Sequence, residues 1–258
     1  MNKAQIALII GAVVLTILLY QLPHVVVEND TLVSPEEANH TFTMPEEVMH
    51  RVGQLRSSWQ SEENIEKKLN FADSLATMYL DYQVLDSGVW FVDYIKSTNS
   101  VGREQRIADL FYQAFQRTSD QEEARELGER AGSEIRSLLA KDPENSSLRN
   151  KLAMTLVVTE TPMQGIQMLR ELLEENPSDQ ETIRNLGILS IQSGQFAKAE
   201  DRFKQLLELD SSNLETLFYL GMAQIEQGDE NGMKIMEKLS RNEVNPAIQA
   251  LAVEYLEN

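Results

Sequence analysis

Residues 180–213 read QETIRNLGILSIQSGQFAKAEDRFKQLLELDSSN. The apolar residues on both sides of Gly194 recur every three or four positions, which predicts two amphipathic helices. Gly194 itself predicts the turn between them, and Asp210 and Ser211 predict the loop that ends the second helix. The stretch therefore encodes one helix–turn–helix unit.

The same unit recurs along the chain with a period of 34 residues. Small or polar loop residues follow the helical runs at Pro143, Pro177 and Ser211, and a further loop contains Asn245 and Pro246. A period of about 34 residues is typical of stacked helix–turn–helix arrays. Arrays of this kind present extended surfaces that bind other molecules.

The composition agrees with an all-helical protein. The 258 residues include 12 Gly, 7 Pro and no Cys, so helix breakers are scarce and disulfides and cysteine-ligated metal sites are excluded. The three histidines, His24, His40 and His50, stand near the N-terminus and form no His-Glu-x-x-His motif. The chain has neither a glycine-rich phosphate loop nor a Gly-x-Ser-x-Gly motif. We therefore expect no catalytic site, no metal and no cofactor.

The repeated unit resembles the tetratricopeptide repeat (TPR). The residues of unit 180–213 that carry the resemblance are Ile183, Leu186, Gly187, Gly194, Phe196, Ala199 and Phe203. This unit departs from the family pattern at Ser190, where Tyr is usual, and at Ser211, where Pro is usual. The next unit keeps Leu217, Leu220, Gly221 and Gly228 and departs at Met233 and Glu237.

The resemblance implies an all-α solenoid of the TPR type. Residues 143–258 are expected to contain three repeats, 146–179, 180–213 and 214–247, followed by a C-terminal capping helix with a polar outer face. Residues 45–142 form a divergent TPR-like region. In it, 69–102 fits the pattern, whereas 103–142 fits only with a second helix about two turns longer than usual.

The N-terminus contains an apolar run. Residues 4–22 hold no charged side chain, and about 20 such residues span a bilayer as a helix. The alternative is a cleaved signal peptide, but the run is long and no Ala-x-Ala site follows it. We therefore expect one transmembrane helix within residues 1–23 and a flexible linker over 24–44. Small residues at Ala4, Ala7 and Gly11 would permit a homodimer through this helix, or would simply face lipid.

Charge predicts the orientation and excludes some partners. Lys3 precedes the apolar run, and the next basic residue is Arg51, so the positive-inside rule places the N-terminus in the cytoplasm. In a bacterial inner membrane the C-terminal domain would then be periplasmic. The formal net charge of −18 disfavours nucleic acid, because phosphate binding needs Lys and Arg.

The resemblance also implies a binding site. In TPR proteins the first helices of successive units line a concave groove, and we expect such a groove to bind an apolar helix or an extended segment of a partner protein. Two alternatives are that the C-terminal helix folds back into the groove and that these residues belong to the core. The corresponding residues here are Asn150, Met154, Val157, Val158, Arg184, Ile188, Ile191, Gln192, Phe218, Met222 and Ile225.

Two functions follow from these expectations. The first is a membrane-anchored scaffold or assembly factor that holds an apolar segment of an envelope partner in the groove. The alternative is a constitutive structural subunit that packs through its convex face into a membrane, secretion or cytochrome-maturation complex. A carboxylate clamp is not expected, because Ile188 and Met222 stand where that clamp has Asn.

Overall fold

The computed structural model of the chain describes residues 44–98, 101–159, 161–241 and 245–257. These residues form twelve α-helices and no strand. In chain order the helices α1 to α12 are Glu46–Ser61, Ile65–Asp81, Leu85–Ser97, Glu104–Arg117, Gln121–Leu139, Ser146–Val157, Pro162–Glu175, Gln180–Gln192, Phe196–Leu209, Leu214–Ile225, Glu230–Leu239 and Pro246–Glu257.

Ten of these helices form five hairpins stacked in sequence order: α2–α3, α4–α5, α6–α7, α8–α9 and α10–α11. Each second helix also packs against the first helix of the next unit. Helix α1 packs against α2 ahead of the first hairpin, and α12 packs against α10 and α11 after the last one. The described residues are thus an all-α repeat solenoid, as the 34-residue period predicts.

Short polar side chains begin most of the first helices. The side-chain oxygens of Asn145, Asp179 and Asn213 accept hydrogen bonds from the backbone N–H three residues on, at 3.1, 3.0 and 2.9 Å. These three caps are spaced by the repeat period, and each satisfies a backbone donor that the helix itself leaves free. Asn245 caps α12 in the same way, at 3.2 Å from the N–H of Ile248.

The turns inside three of the hairpins share one geometry. Gly194 and Gly228 adopt φ values of +68° and +76°, and Gln83 adopts 58° at the corresponding place in α2–α3. In each turn the N–H of this residue bonds the carbonyl three residues earlier, for example Gly194 to Ile191 at 2.9 Å. A positive φ ends a helix in the left-handed region, where glycine carries no steric penalty. The α2–α3 hairpin is therefore built like the later units although it lacks the glycine.

Small residues permit close packing of the two helices within a unit. A Cβ on Gly165 would lie 2.3 Å from the carbonyl oxygen of Ala153. In the last hairpin the corresponding residue is Gly232, whose added Cβ would lie 2.6 Å from the carbonyl oxygen of Gly221. The alignment at strict 34-residue spacing assigned this place to Met233, which is 44% exposed. Helix α11 therefore follows a register shifted by one residue.

The core runs along the array as overlapping clusters of buried side chains. The long second helix expected in 103–142 is α5, which has 19 residues, whereas α7 and α9 have 14 each. The C-terminal helix α12 is present, and it covers Phe218 and Met222 on α10. Its outer face is not polar, because Leu251 and Val253 are 46% and 37% exposed.

The predicted transmembrane helix at 4–22 and residues 24–43 of the predicted linker lie outside the described residues. Within the ranges that the structure describes, no helix has both the length and the apolar character needed to cross a bilayer.

Candidate functional site: a groove across the first helices

A groove with a volume of about 520 Å³ crosses the first helices of four successive units. Helices α4, α6, α8 and α10 supply most of its walls, and the start of α5 closes one side. The residues that line it are Tyr112, Phe115, Gln116, Thr118, Ala124, Met154, Val158, Arg184, Asn185, Ile188, Gln192, Glu215 and Tyr219.

One part of the groove is apolar. Phe115 on α4, Met154 on α6 and Ile188 on α8 contribute side chains of different shape to a single surface, which Val158 extends. These residues recur on successive first helices because each helix presents the same face in the stack. Methionine adds a flexible and polarisable contact. This surface matches bulky apolar side chains of a ligand.

The other part of the groove is polar and contains Arg184. Among the residues that line the groove, Arg184 is the one with a positive charge. Its guanidinium makes no hydrogen bond or salt bridge within the described residues. The nearby charges are carboxylates: Glu215 lines the groove, and Glu181 precedes Arg184 by one helical turn. Arg184 therefore has donors available for a ligand.

Burial changes the titration of the polar groups around Arg184. It raises the pKa of Tyr112 and of Tyr219, and the negative charges of Glu181 and Glu215, respectively, raise them further. Burial also raises the pKa of Glu181, against the opposing effect of Arg184 and Lys151. A tyrosine is neutral at physiological pH even at its ordinary pKa, and these shifts keep both side chains neutral at higher pH as well, so that their hydroxyls can donate hydrogen bonds.

A buried polar network lies beside the groove and joins α6 to α8. The Asn150 amide donates to Thr182 Oγ1 at 2.7 Å, and the Asn185 amide donates to the Asn150 carbonyl oxygen. Thr182 Oγ1 donates in turn to Asp179, the residue that caps α8. The network sets the relative position of two helices that line the groove.

The structure places the eleven residues that the resemblance assigns to the groove in different environments. Met154, Arg184 and Ile188 line the groove, and so do Val158 and Gln192. Asn150 is fully buried in the polar network, so its side chain is not available to a ligand. The remaining residues pack against neighbouring helices: Val157 lies against Gly165 on α7, Ile191 joins the core between α8 and α11, and Phe218, Met222 and Ile225 pack with α11 and α12.

Several groove residues were missed. Tyr112 and Phe115 belong to α4, whose unit was too divergent for its groove-facing positions to be assigned from the family pattern. On α10 the groove is lined by Glu215 and Tyr219, whereas Phe218 and Met222 are turned towards α12. The repeat period could have indicated Tyr219. It stands 34 residues after Asn185, so the two residues occupy the same position on successive first helices, and Asn185 is next to the predicted groove residue Arg184.

The described residues contain no group of three or more His, Cys, Asp or Glu side chains placed to hold a metal ion. Of the three histidines, His50 lies exposed on α1, and His24 and His40 lie outside the described ranges. What the groove offers is apolar surface, neutral hydroxyls and one guanidinium, which are groups suited to binding.

No protein-family model matches the chain, and its sequence matches no curated protein. Among solved structures, a tetratricopeptide repeat protein from Parabacteroides merdae is 15% identical with a TM-score of 0.51, covering 74% of this chain and 72% of its own. YrrB, described as a TPR protein with an unusual peptide-binding site, is 17% identical with a TM-score of 0.42, covering 80% of this chain and 100% of its own. MamA is 11% identical with a TM-score of 0.39, covering 66% of this chain and 88% of its own.

The likeness to the Parabacteroides merdae protein shows that this chain has a TPR fold. The identity is too low to transfer a function, and the two alignments with TM-scores below 0.5 do not extend the conclusion.

Proposed function

We propose that the protein is a membrane-anchored interaction scaffold or assembly factor whose groove binds a segment of a partner protein. The observation that supports this proposal is the apolar surface of Phe115, Met154 and Ile188 beside the available guanidinium of Arg184. Met154 and Ile188 are only partly buried when the groove is empty, so covering them with a ligand is favourable, whereas Phe115 is already buried. We propose binding, and not catalysis, as the work of this site.

The groove defines the chemistry of the segment. Its bulky apolar side chains would cover Ile188 and Met154, in either helical or extended form. An acidic group on the segment would pair with Arg184, and the hydroxyls of Tyr112 and Tyr219 flank that position. Charge-assisted hydrogen bonds to a guanidinium favour this pairing and add orientation to the apolar contact.

Partner capture tests the groove. Full-length protein would be crosslinked in its native membrane, and the captured proteins compared between wild type, Ile188→Glu and the control Met163→Glu, whose methionine is 65% exposed on the second helix α7. We expect Ile188→Glu to lose at least about tenfold of one or more specific partners, because a buried carboxylate without a partner is costly. The control should capture them as the wild type does.

Equal capture by Ile188→Glu and wild type would contradict the groove as the binding site. A loss of all partners by the control as well would point to a surface other than the groove. Circular dichroism of both variants separates loss of binding from loss of fold.

The proposed anchor rests on the sequence of residues 4–22, and the proposed location is the bacterial inner membrane with the solenoid in the periplasm. An alkaline phosphatase fused after residue 258 should be active, since this enzyme requires an oxidising compartment. An inactive fusion, together with an active cytoplasmic reporter at the same site, would reverse the orientation.

A further inference from the structure

A second cavity, of about 620 Å³, lies at the start of the array between α1 and α2, and we name it the N-terminal slot. Its apolar lining comes from Val48 and Leu55 on α1 and from Met78 and Tyr82 at the end of α2. Arg51 also lines the slot, and it makes no salt bridge within the described residues. Glu47 lies one turn away from it on α1, whereas Asp73 and Arg106 neutralise each other at 2.6 Å.

Helix α1 occupies the place of a second helix. It packs against α2 as each later second helix packs against the next first helix. Trp59 on α1 contacts Trp90 and Tyr94 on α3, with ring centroids 5.7 and 5.2 Å apart. Contact between successive second helices also occurs further along, where Arg130 on α5 pairs with Asp93 on α3. Among the described residues, no first helix pairs with α1, and the slot lies where that helix would be.

Helix α12, in contrast, resembles the first helix of a hairpin whose second helix is missing. The start of α12 matches the start of the first helix α10. The cap Asn245 corresponds to the cap Asn213, and the buried Ile248 and Ala252 correspond to the buried Thr216 and Leu220. In this register Val253 corresponds to Gly221, which packs against the second helix α11. Val253 is 37% exposed, so the side of α12 that would receive a second helix is uncovered.

We propose that copies of this protein associate head to tail, with α12 of one copy in the N-terminal slot of the next. The two ends are complementary, because one lacks the first helix of a hairpin and the other lacks the second. Antiparallel packing, as in the hairpins, turns the exposed Val253 of α12 towards the apolar lining of the slot in the next copy, which includes Val48.

The contact joins two different surfaces, so it repeats and produces rings or open chains instead of closed two-fold dimers. It also continues the alternation of first and second helices from one copy into the next, which extends the concave face. The proposal does not depend on the groove as a binding site, because neither end includes the groove residues.

Cysteine crosslinking tests the contact, since the chain contains no natural cysteine. Full-length Val48→Cys and Val253→Cys proteins would be purified in detergent, mixed, and treated with a short bismaleimide. We expect a crosslinked pair that contains one copy of each variant. The control replaces Val253→Cys with Met163→Cys, at a more exposed position that lies away from both ends. The control should give at least about tenfold less product, because only the contact holds the two cysteines at a high effective concentration.

A change in the slot gives the second arm. Leu55→Glu in the Val48→Cys copy should lower the yield about tenfold, because α12 would cover a carboxylate that has no partner. Met163→Glu in the same copy, on the exposed face of α7, should leave the yield unchanged.

Three results would overturn the proposal. Crosslinking of Val253→Cys to itself would show a symmetric contact between two α12 helices. Equal yields with the Met163→Cys control would show association through another surface, such as the apolar run at 4–22. A monomer that gives no product at any concentration would show that the slot is filled by the same chain or not at all.

Discussion

The ring of Phe203 on α9 fills the space that the missing side chain of Gly187 leaves on α8. A Cβ added to Gly187 would lie 2.8 Å from Phe203 Cζ, and Phe203 is fully buried. The small residue of the first helix and the large residue of the second therefore form one packing unit, which sets how closely the two helices of the hairpin approach.

Replacement of Gly187 by Ala should destabilise the protein. Overpacking of a filled core costs about 1–3 kcal/mol, which exceeds the gain of about 0.5–1 kcal/mol in helix propensity. Urea unfolding followed by circular dichroism measures the difference. The matched control is Gly53→Ala on α1, where an added Cβ meets nothing within 4 Å, so this variant should be as stable as wild type or more so. A Gly187→Ala protein as stable as the Gly53→Ala protein would contradict the packing argument.

The shifted register of α11 gives a second prediction. An added Cβ on Gly232 would lie 2.6 Å from the carbonyl oxygen of Gly221 and 2.7 Å from the backbone N of Ile225, and backbone atoms cannot rotate away. We expect Gly232→Ala to lower the free energy of unfolding by about 1–3 kcal/mol or more. Met233→Ala should change it by less than about 0.5 kcal/mol, as surface substitutions usually do. If Met233→Ala proved the more damaging change, the strict 34-residue alignment would hold.

The same helix shows why sequence alone predicted the repeat but not its local register. The loops at Pro143, Pro177 and Ser211 fixed the period, and the caps at Asn145, Asp179 and Asn213 follow it. The packing glycine of α11 follows the turn at Gly228 by four residues, whereas Ala199 follows Gly194 by five. An alignment at a fixed period of 34 residues does not detect a shift of one residue within a helix. The charged Glu237 at a position that is apolar in the earlier units was the sign of this shift.

The groove was predicted less well than the fold. An apolar stripe on a first helix shows that the stripe is covered, but not which helix covers it. The resemblance assigns Phe218 and Met222 to the groove, whereas in the structure they pack in one cluster with residues of α12. Tyr219, adjacent in sequence to Phe218, lies in the groove instead. Which of these neighbouring side chains faces the groove and which faces α12 depends on the direction of each side chain, and this direction is known only once the helices are stacked.

Asn150 provides a third prediction, because it was placed in the groove and lies in the buried network. Asn150→Ala would leave Thr182 and Asn185 without their partner, and we expect a loss of stability of about 1–3 kcal/mol. The loss should be non-additive with Asn185→Ala in a double-mutant cycle measured by urea unfolding. Arg184→Ala should instead leave stability within about 0.5 kcal/mol of wild type, since Arg184 makes no hydrogen bond in the described structure. Additive effects of Asn150→Ala and Asn185→Ala would contradict the network.

Glu200 on α9 predicts a dependence of stability on pH. Its carboxylate accepts hydrogen bonds from Gln224 at 3.0 Å, Lys204 at 2.8 Å and Gln227 at 2.8 Å. The hydrogen bonds from Gln224 and Lys204 lower the pKa of Glu200 from 4.5 to about 2. Because the folded protein favours the charged form, this carboxylate contributes its full stabilisation above pH 4.5, and the contribution is lost as the pH falls towards 2.

The comparison of wild type with Glu200→Gln isolates this carboxylate from the others that titrate in the same range. The difference in unfolding free energy between the two proteins should be largest above pH 5 and should shrink steadily between about pH 4.5 and pH 2. Urea unfolding followed by circular dichroism at several pH values across this window measures it. Lys204→Met removes one of the three donors, so it should raise the pKa of Glu200 in the folded protein; the loss should still begin near pH 4.5, but it should be smaller and end at a higher pH. A difference between wild type and Glu200→Gln that stays constant from pH 6 to pH 2.5 would show that these hydrogen bonds do not depend on the charge of Glu200.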